Sequence, residues 1–363
     1  MKNINIRRIG LLTSGGDCAG LNAVIRAVVH RAAGHYGWEV LGIRQGTHGL
    51  LSDPPMVETL TADGHHASIL RLGGTILGTT NHGDPFAFPM DDGTLKDRSG
   101  EVIAAWRKLG LDALIGIGGD GSLGILRHLA QQGGLNFVGI PKTIDNDIGA
   151  TEASVGFSTA VEVATEALDR LQPTAASHNR VMVLEVMGRD AGHIALAAGV
   201  AGGADIILIP EIAWSLNNLV AKIDDLRRRG RNFALIVVAE AVRRQEGDVV
   251  TQARSGRKAT YGGIGHHIGA LVEEATGAET RVTVLGHVQR GGGPGARDRI
   301  LASAFGVHAV ELVAQGKFDH MVAWRQRDVV AVPLAEVADR SASVDVNDAL
   351  VRTGRGLGIS FGD

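Results

Sequence analysis

Leu135-Asn136-Phe137-Val138-Gly139-Ile140 runs straight into Pro141-Lys142-Thr143-Ile144-Asp145-Asn146-Asp147. The apolar run predicts a buried strand, and the polar run marks its carboxyl end, where open α/β sheets bind ligands. Two carboxylates, a lysine and a hydroxyl fall within six residues. Charges packed that tightly repel or pair unless something fills the space among them, and a phosphate with a divalent cation would fill it. Gly118-Gly119-Asp120-Gly121-Ser122 ends the preceding apolar run, Ala113–Ile117, in the same way.

Working outward, short apolar runs alternate with longer helical patterns. Ile9–Leu12 and Val40–Ile43 predict strands, with a helix over Leu21–Ala33 that stops at Gly34 and Gly37. Residues 122–132 predict the helix after Gly118-Gly119. Downstream the order is strand 181–186, helix 192–200, strand 206–209, helix 216–229 and strand 235–239. Val161, Ala164, Leu168 and Leu171 recur at helical spacing. Continuous apolar strands separated by helices imply parallel sheets covered on both faces, here doubled into two α/β halves. Residues 79–97 and 243–261 are polar and read as loops or insertions.

Composition narrows the function. The 363 residues suit two domains, each with its own core. The formal net charge of −3 offers no broad basic surface for nucleic acid, so anions must be bound by local positive clusters. A single cysteine excludes an intrachain disulfide and fits a reducing cytoplasm; Cys18 reads as a small apolar filler. Residues 1–8 lack a signal-peptide core, and no apolar run approaches the roughly 20 residues that span a bilayer.

Three turns carry chemistry. Thr13-Ser14-Gly15-Gly16-Asp17 can hold a phosphate on its backbone amides, though an ordinary strand–helix turn with an aspartate cap has the same composition. In Gly118–Ser122 the glycines admit a nucleotide, Asp120 can hold Mg²⁺, and Ser122 can cap the helix while donating to phosphate. In the 141–147 run, Asp145 is placed to take the proton of a hydroxyl as a phosphoryl group arrives. Thr143 can donate to that group and Lys142 can neutralise it. Cations come later: Arg180 before one strand, Arg189 after Met187-Gly188, Arg281 opening another, and His287 and Arg290 within 285–292. Any one of these arginines is more often a surface charge than a ligand. Glu240 ends a strand, where it can accept hydrogen bonds from sugar hydroxyls or cap a helix. His178 and His193 read as structural, and His65-His66 as solvent-facing.

These runs, in this order, resemble the 6-phosphofructokinase family over about residues 9–315. Residues 9–17, the GGDGS run, TIDND, EVMGR at 185–189 and LGHVQRGG at 285–292 all look like that family's segments. The resemblance implies two similar three-layer α/β domains with mainly parallel sheets and an active site in the cleft between them. A nucleotide and Mg²⁺ domain would span 1–156 plus about 289–341, and a sugar-phosphate domain 157–288 plus about 342–363. It implies ATP-dependent phosphorylation of the first-carbon hydroxyl of fructose 6-phosphate in glycolysis, in a cytoplasmic homotetramer or dimer. Carried over residue by residue, Asp145 is the proton acceptor and acts with Thr143, Lys142 and Arg189. Asp120 belongs to the Mg²⁺ site. Gly15 and Gly119-Asp120-Gly121-Ser122 touch the nucleotide. Thr143-Ile144-Asp145, Met187-Gly188-Arg189, Glu240 and His287-Val288-Gln289-Arg290 contact the sugar phosphate, with Arg180 and Arg281 supplied by a neighbouring subunit.

Two positions bear on the donor. Members that use pyrophosphate usually carry Asp at position 121 and Lys at 142, and bacterial ATP enzymes carry Gly at both. Gly121 with Lys142 is a mixed pair; the open space at Gly121 favours ATP over pyrophosphate. After Gly78 the family's usual arginine gives way to Thr79-Thr80-Asn81-His82-Gly83, and Lys142 is the cation expected to take its role. Arg26 and Arg231 lie where family members bind effectors, but His30 and Gln172 replace two further cations, so effector control is expected to be weak. A GGDG kinase for NAD or lipid would explain 118–122 and leave TIDND unused. A silent regulatory subunit would not need both Asp120 and Asp145.

Overall fold

Ile, Leu and Val in unbroken runs become strands because a parallel strand covered on both faces has no solvent side to keep polar. The computed structural model describes residues 6–64, 68–245, 247–254, 257–337 and 341–363. In it Arg8–Thr13 pairs in parallel with Glu39–Ile43 on one side and Ala113–Gly118 on the other. Ala113–Gly118 pairs with Phe137–Thr143, which pairs in parallel with His320–Arg325. Val57–Leu60 and Asp328–Pro333 close the two edges antiparallel, and Val155–Gly156 lies beside Lys142-Thr143. Three ligand-type turns therefore leave adjacent strands of one eight-stranded sheet at the same end.

Contacts divide the chain into two units. One comprises Met1–Ile144, Ile148–Ser158 and Arg290–Ser341; the other comprises Asp145–Asp147, Thr159–Gln289 and Ala342–Asp363. Relative to the sequence reading, Asp145–Asp147 and Gln289 fall in the second unit and Phe157 and Ser158 in the first. The Asp147 carbonyl accepts the Ala342 N–H at 2.8 Å, a bond within the second unit. Within the first unit, helix Leu21–Val29 packs on helix Ala296–Ala314, where a Cβ at Gly306 would lie 2.6 Å from the Ala27 side chain. Only a bare backbone allows so close an approach. The second unit is a four-stranded parallel sheet in the order Ile206–Leu208, Ala234–Ala239, Val181–Val186, Thr280–Val284. Helices Phe157–His178, His193–Ala201, Leu216–Arg228 and Ile264–Thr276 belong with it, and Ser360 bridges to Ile206.

Three expectations need correction. The first helix is α-helical only to Val29 and widens into a π-turn over His30–His35. There Arg31 and Tyr36 both bind Glu311, at 2.5 and 2.9 Å. The presumed loops hold two short antiparallel pairs, Phe88–Pro89 with Leu95–Lys96 and Thr251–Arg254 with Arg257–Tyr261. Helix Asp120–Gly133 begins two residues before its expected start, with Gly119 as its N-cap. Among the described residues no helix is long and apolar enough to cross a membrane.

Candidate functional site

In the first unit, the turn after Arg8–Thr13 is held by its backbone. Ser14 N–H donates to Ile117 O at 2.9 Å, Gly15 N–H to Thr80 O at 2.8 Å, and Thr79 Oγ1 to Gly15 O at 2.7 Å. Gly15 takes φ +85°, open to glycine at little cost. A Cβ there would lie 3.0 Å from Ser122 Oγ and 3.4 Å from Lys142 Nζ. At Gly16 it would lie 2.9 Å from Arg290 Nη1. The turn is thus ringed by a hydroxyl, an ammonium and a guanidinium. The buried Lys142 donates from Nζ to Gly16 O, and Arg290 donates to Asp17 O at 2.9 Å. Two cations sit side by side on the carbonyls of one glycine turn.

Ser122 does not cap its helix. It lies in the first turn, three residues past Gly119, the N-cap position. Its hydroxyl faces the Gly15 turn instead. Asp17 is likewise no cap, because the helix starts only at Leu21 behind Gly20 at φ 112°. Gly121 is exposed, and a Cβ on it would meet nothing within 4 Å. Asp120, part-exposed, opens the helix, where backbone N–H groups face outward. Magnesium keeps most of its waters and needs only one or two carboxylates beside substrate phosphates. Asp120 fits that demand, and no cluster of three or more His, Cys, Asp or Glu forms a cage among the described residues.

The second unit holds the carboxylates. Asp145 and Asp147 are 6% and 4% exposed, and Asn146 separates them at φ 52°, a left-handed conformation that Asn tolerates. Arg189 Nη1 stands 3.7 Å from Asp147 Oδ2, and its own φ is 52°. Glu240 fixes that turn by accepting Gly188 N–H at 3.3 Å and Arg189 N–H at 3.0 Å. Burial pushes the Glu240 carboxyl up to about 7, with Asp145 adding to the rise against the Arg189 N–H. Buried Gln289 accepts Met187 N–H at 2.8 Å, so it braces the turn from within rather than facing outward. His287 and Val288 are exposed. Glu279 holds both Arg180, at 2.8 Å, and Arg281. Ile144 is fully buried and anchors the run by packing.

Several other readings resolve here. Cys18 is buried and burial raises its thiol to about 12, which removes it as a nucleophile. His193 bonds Ala342 O at 2.9 Å, and His178 is exposed at a helix end. His65 and His66 lie outside the described residues. Arg231 is tied to Asp205 at 2.8 Å and lies over the Phe233 ring. Sequence reasoning passed over Asp147, which faces Arg189, and Glu185, which accepts the Gly263 and Gly265 N–H groups at 2.9 and 2.7 Å. Asp147 was visible inside the 141–147 run; the Glu185 contacts span about eighty residues and leave no local pattern.

The fold and these turns define an α/β protein that presents amides, cations and carboxylates to a phosphorylated ligand. The family model described as phosphofructokinase matches residues 8–313. An ATP-dependent 6-phosphofructokinase 1 of Synechocystis is 62% identical, over 99% of both chains. The ATP-dependent 6-phosphofructokinase of Thermosynechococcus vestitus is 49% identical, over 98% of this chain and 93% of its own. Among solved structures, the T-state phosphofructokinase of Pichia pastoris matches with a TM-score of 0.80 at 32% identity. That match covers 92% of this chain and 35% of the yeast chain, so this chain spans about a third of its length. A pyrophosphate-dependent phosphofructokinase of Nitrosospira multiformis, at 22% identity and a TM-score of 0.78, shares the fold over 99% of this chain and 93% of its own. The chain belongs to the phosphofructokinase family.

Proposed function

We infer that the protein transfers the γ-phosphoryl group of ATP to the first-carbon hydroxyl of fructose 6-phosphate. Asp145 takes the hydroxyl proton as that oxygen bonds to phosphorus and the bond to the β-phosphate bridging oxygen breaks, releasing ADP. Lys142, drawn to the Gly16 carbonyl, neutralises charge on the moving group. Asp120 would hold Mg²⁺, which supplies charge neutralisation on the phosphates when bound. Glu240 and the Met187–Arg189 turn bind the sugar phosphate. Arg180 and Arg281, braced by Glu279, complete that pocket from a neighbouring copy in a cytoplasmic homo-oligomer.

The observation that carries the donor assignment is the empty space over Gly121, where a Cβ meets nothing within 4 Å. An aspartate there would put a negative charge against the nucleotide phosphates. The names of the relatives at 62% and 49% identity agree with ATP. Steady-state assays with fructose 6-phosphate and Mg²⁺, run with ATP and with pyrophosphate, test the reading. Turnover with ATP at least about tenfold above pyrophosphate in kcat/KM is expected. Efficient turnover with pyrophosphate and none with ATP would overturn it.

A further inference from the structure

Three consecutive carbonyls of the first glycine turn each accept a hydrogen bond from a side chain. Thr79 Oγ1 donates to Gly15 O at 2.7 Å, Lys142 Nζ donates to Gly16 O, and Arg290 Nη1 donates to Asp17 O at 2.9 Å. A trans peptide sets its N–H opposite its carbonyl. The N–H groups of Gly16, Asp17 and Cys18 therefore face away from those three side chains. Gly15 N–H is taken separately, by Thr80 O at 2.8 Å. Thr79 and Thr80 thus grip both polar groups of Gly15, the carbonyl through a hydroxyl and the amide through a carbonyl. Of the three side chains on the turn, Thr79 alone is neutral, so a bound anion has no charge there to pull away.

The segment that delivers Thr79 is itself braced. Buried Asn22 accepts Ile76 N–H at 2.8 Å and donates to Leu72 O and Gly73 O at 3.2 and 3.1 Å. Thr13 Oγ1 donates to Gly78 O at 2.8 Å, one residue before Thr79. Thr13 ends strand Arg8–Thr13, and Asn22 stands in the first turn of helix Leu21–Val29. The two elements that flank the glycine turn therefore also hold the segment that grips it.

We propose that Thr79 is a positioning residue for the nucleotide: its hydroxyl fixes the Gly15–Gly16 peptide so that the amides of the turn face the nucleotide phosphates. The inference rests on the reading that this turn touches the nucleotide. Without the hydroxyl, glycine's freedom at both residues lets that peptide rotate. Its amide would serve the phosphates in the ground state and the transition state alike, so its loss falls on KM more than on kcat.

The test uses the full-length enzyme with Mg²⁺, varying ATP at saturating fructose 6-phosphate and then the reverse. Thr79→Val fills the same space without the hydroxyl. It is expected to raise KM for ATP about fivefold, with kcat and KM for fructose 6-phosphate each within about twofold of wild type. Thr79→Ala is expected to do the same, and it serves if Thr79→Val does not fold. Thr79→Ser restores the hydroxyl and is expected to return KM for ATP to within about twofold of wild type. Wild-type KM for ATP in the folded Val or Ala variant, alongside a raised KM in Gly15→Ala, overturns the role of Thr79 and spares the contact between turn and nucleotide. A loss that Thr79→Ser shares in full, or one spread equally over both substrates, overturns that role too, since either marks loosened packing rather than a held peptide. In Gly15→Ala the new Cβ would lie 3.0 Å from Ser122 Oγ at a φ of +85°. Wild-type KM for ATP in that variant overturns the contact between turn and nucleotide, and the role of Thr79 with it.

Discussion

Lys142 and Glu240 each place an ionisable group where burial makes charge expensive. Lys142 is 3% exposed and its ammonium rests on the Gly16 carbonyl, beside the guanidinium of Arg290 on the next one. A cation so placed acts on charge that develops at the turn more than on sugar binding. Lys142→Ala is therefore expected to lower kcat by about a hundredfold or more while KM for fructose 6-phosphate changes less than about threefold. Equal losses in both parameters would count against this assignment. Glu240 titrates near pH 7 in the folded chain against an ordinary value of 4.5. A carboxyl raised in this way holds extra protons when folded, so its contribution to stability falls as pH rises from about 4.5 to about 7. Glu240→Gln removes that titrating group and keeps an oxygen for the Gly188 and Arg189 amides. Across pH 5 to 8 the wild type is expected to lose up to about 3 kcal/mol relative to the variant in denaturant unfolding. Parallel pH profiles contradict it.

At the scale of elements, the apolar runs named their own strands. Ala113–Gly118 and Ala234–Ala239 follow from apolar residues without polar breaks, Arg8–Thr13 from the apolar run Ile9–Leu12, and Val181–Val186 from an apolar run that only Glu185 interrupts. Helix ends were less legible, because they depend on caps from other parts of the chain. Helix Ile264–Thr276 has no cap of its own; Gly263 precedes it at φ 98°. Glu185, on a strand about eighty residues earlier, accepts Gly263 N–H at 2.9 Å and Gly265 N–H at 2.7 Å. In sequence it is one acidic residue in an apolar strand and reads only as part of a motif. Glu185→Ala leaves buried amides without acceptors and is expected to cost about 1–3 kcal/mol in chemical unfolding. A loss below about 0.5 kcal/mol would show that water serves as well. The Thr79–Gly15 link was invisible for the same reason: a hydrogen bond across 64 residues has no local pattern. The glycine turns, in contrast, were legible because each needs several adjacent residues of restricted type.

At the scale of the whole molecule, the chain sorts its chemistry by unit. Gly15, Asp120, Ser122, Lys142 and Arg290 belong to the first, and Asp145, Asp147, Arg189 and Glu240 to the second. The division falls at the Ile144–Asp145 peptide, inside the one run that reads as both donor and acceptor chemistry. That run was the most legible part of the chain, and the account depends on its carboxylate. The decisive measurement is turnover of Asp145→Asn in the same assembled oligomer as wild type, checked by sedimentation. The account predicts a kcat about 10²–10⁴-fold lower with KM for fructose 6-phosphate little changed, since the amide fills the same space but takes no proton. Undiminished turnover in a correctly assembled enzyme would contradict it.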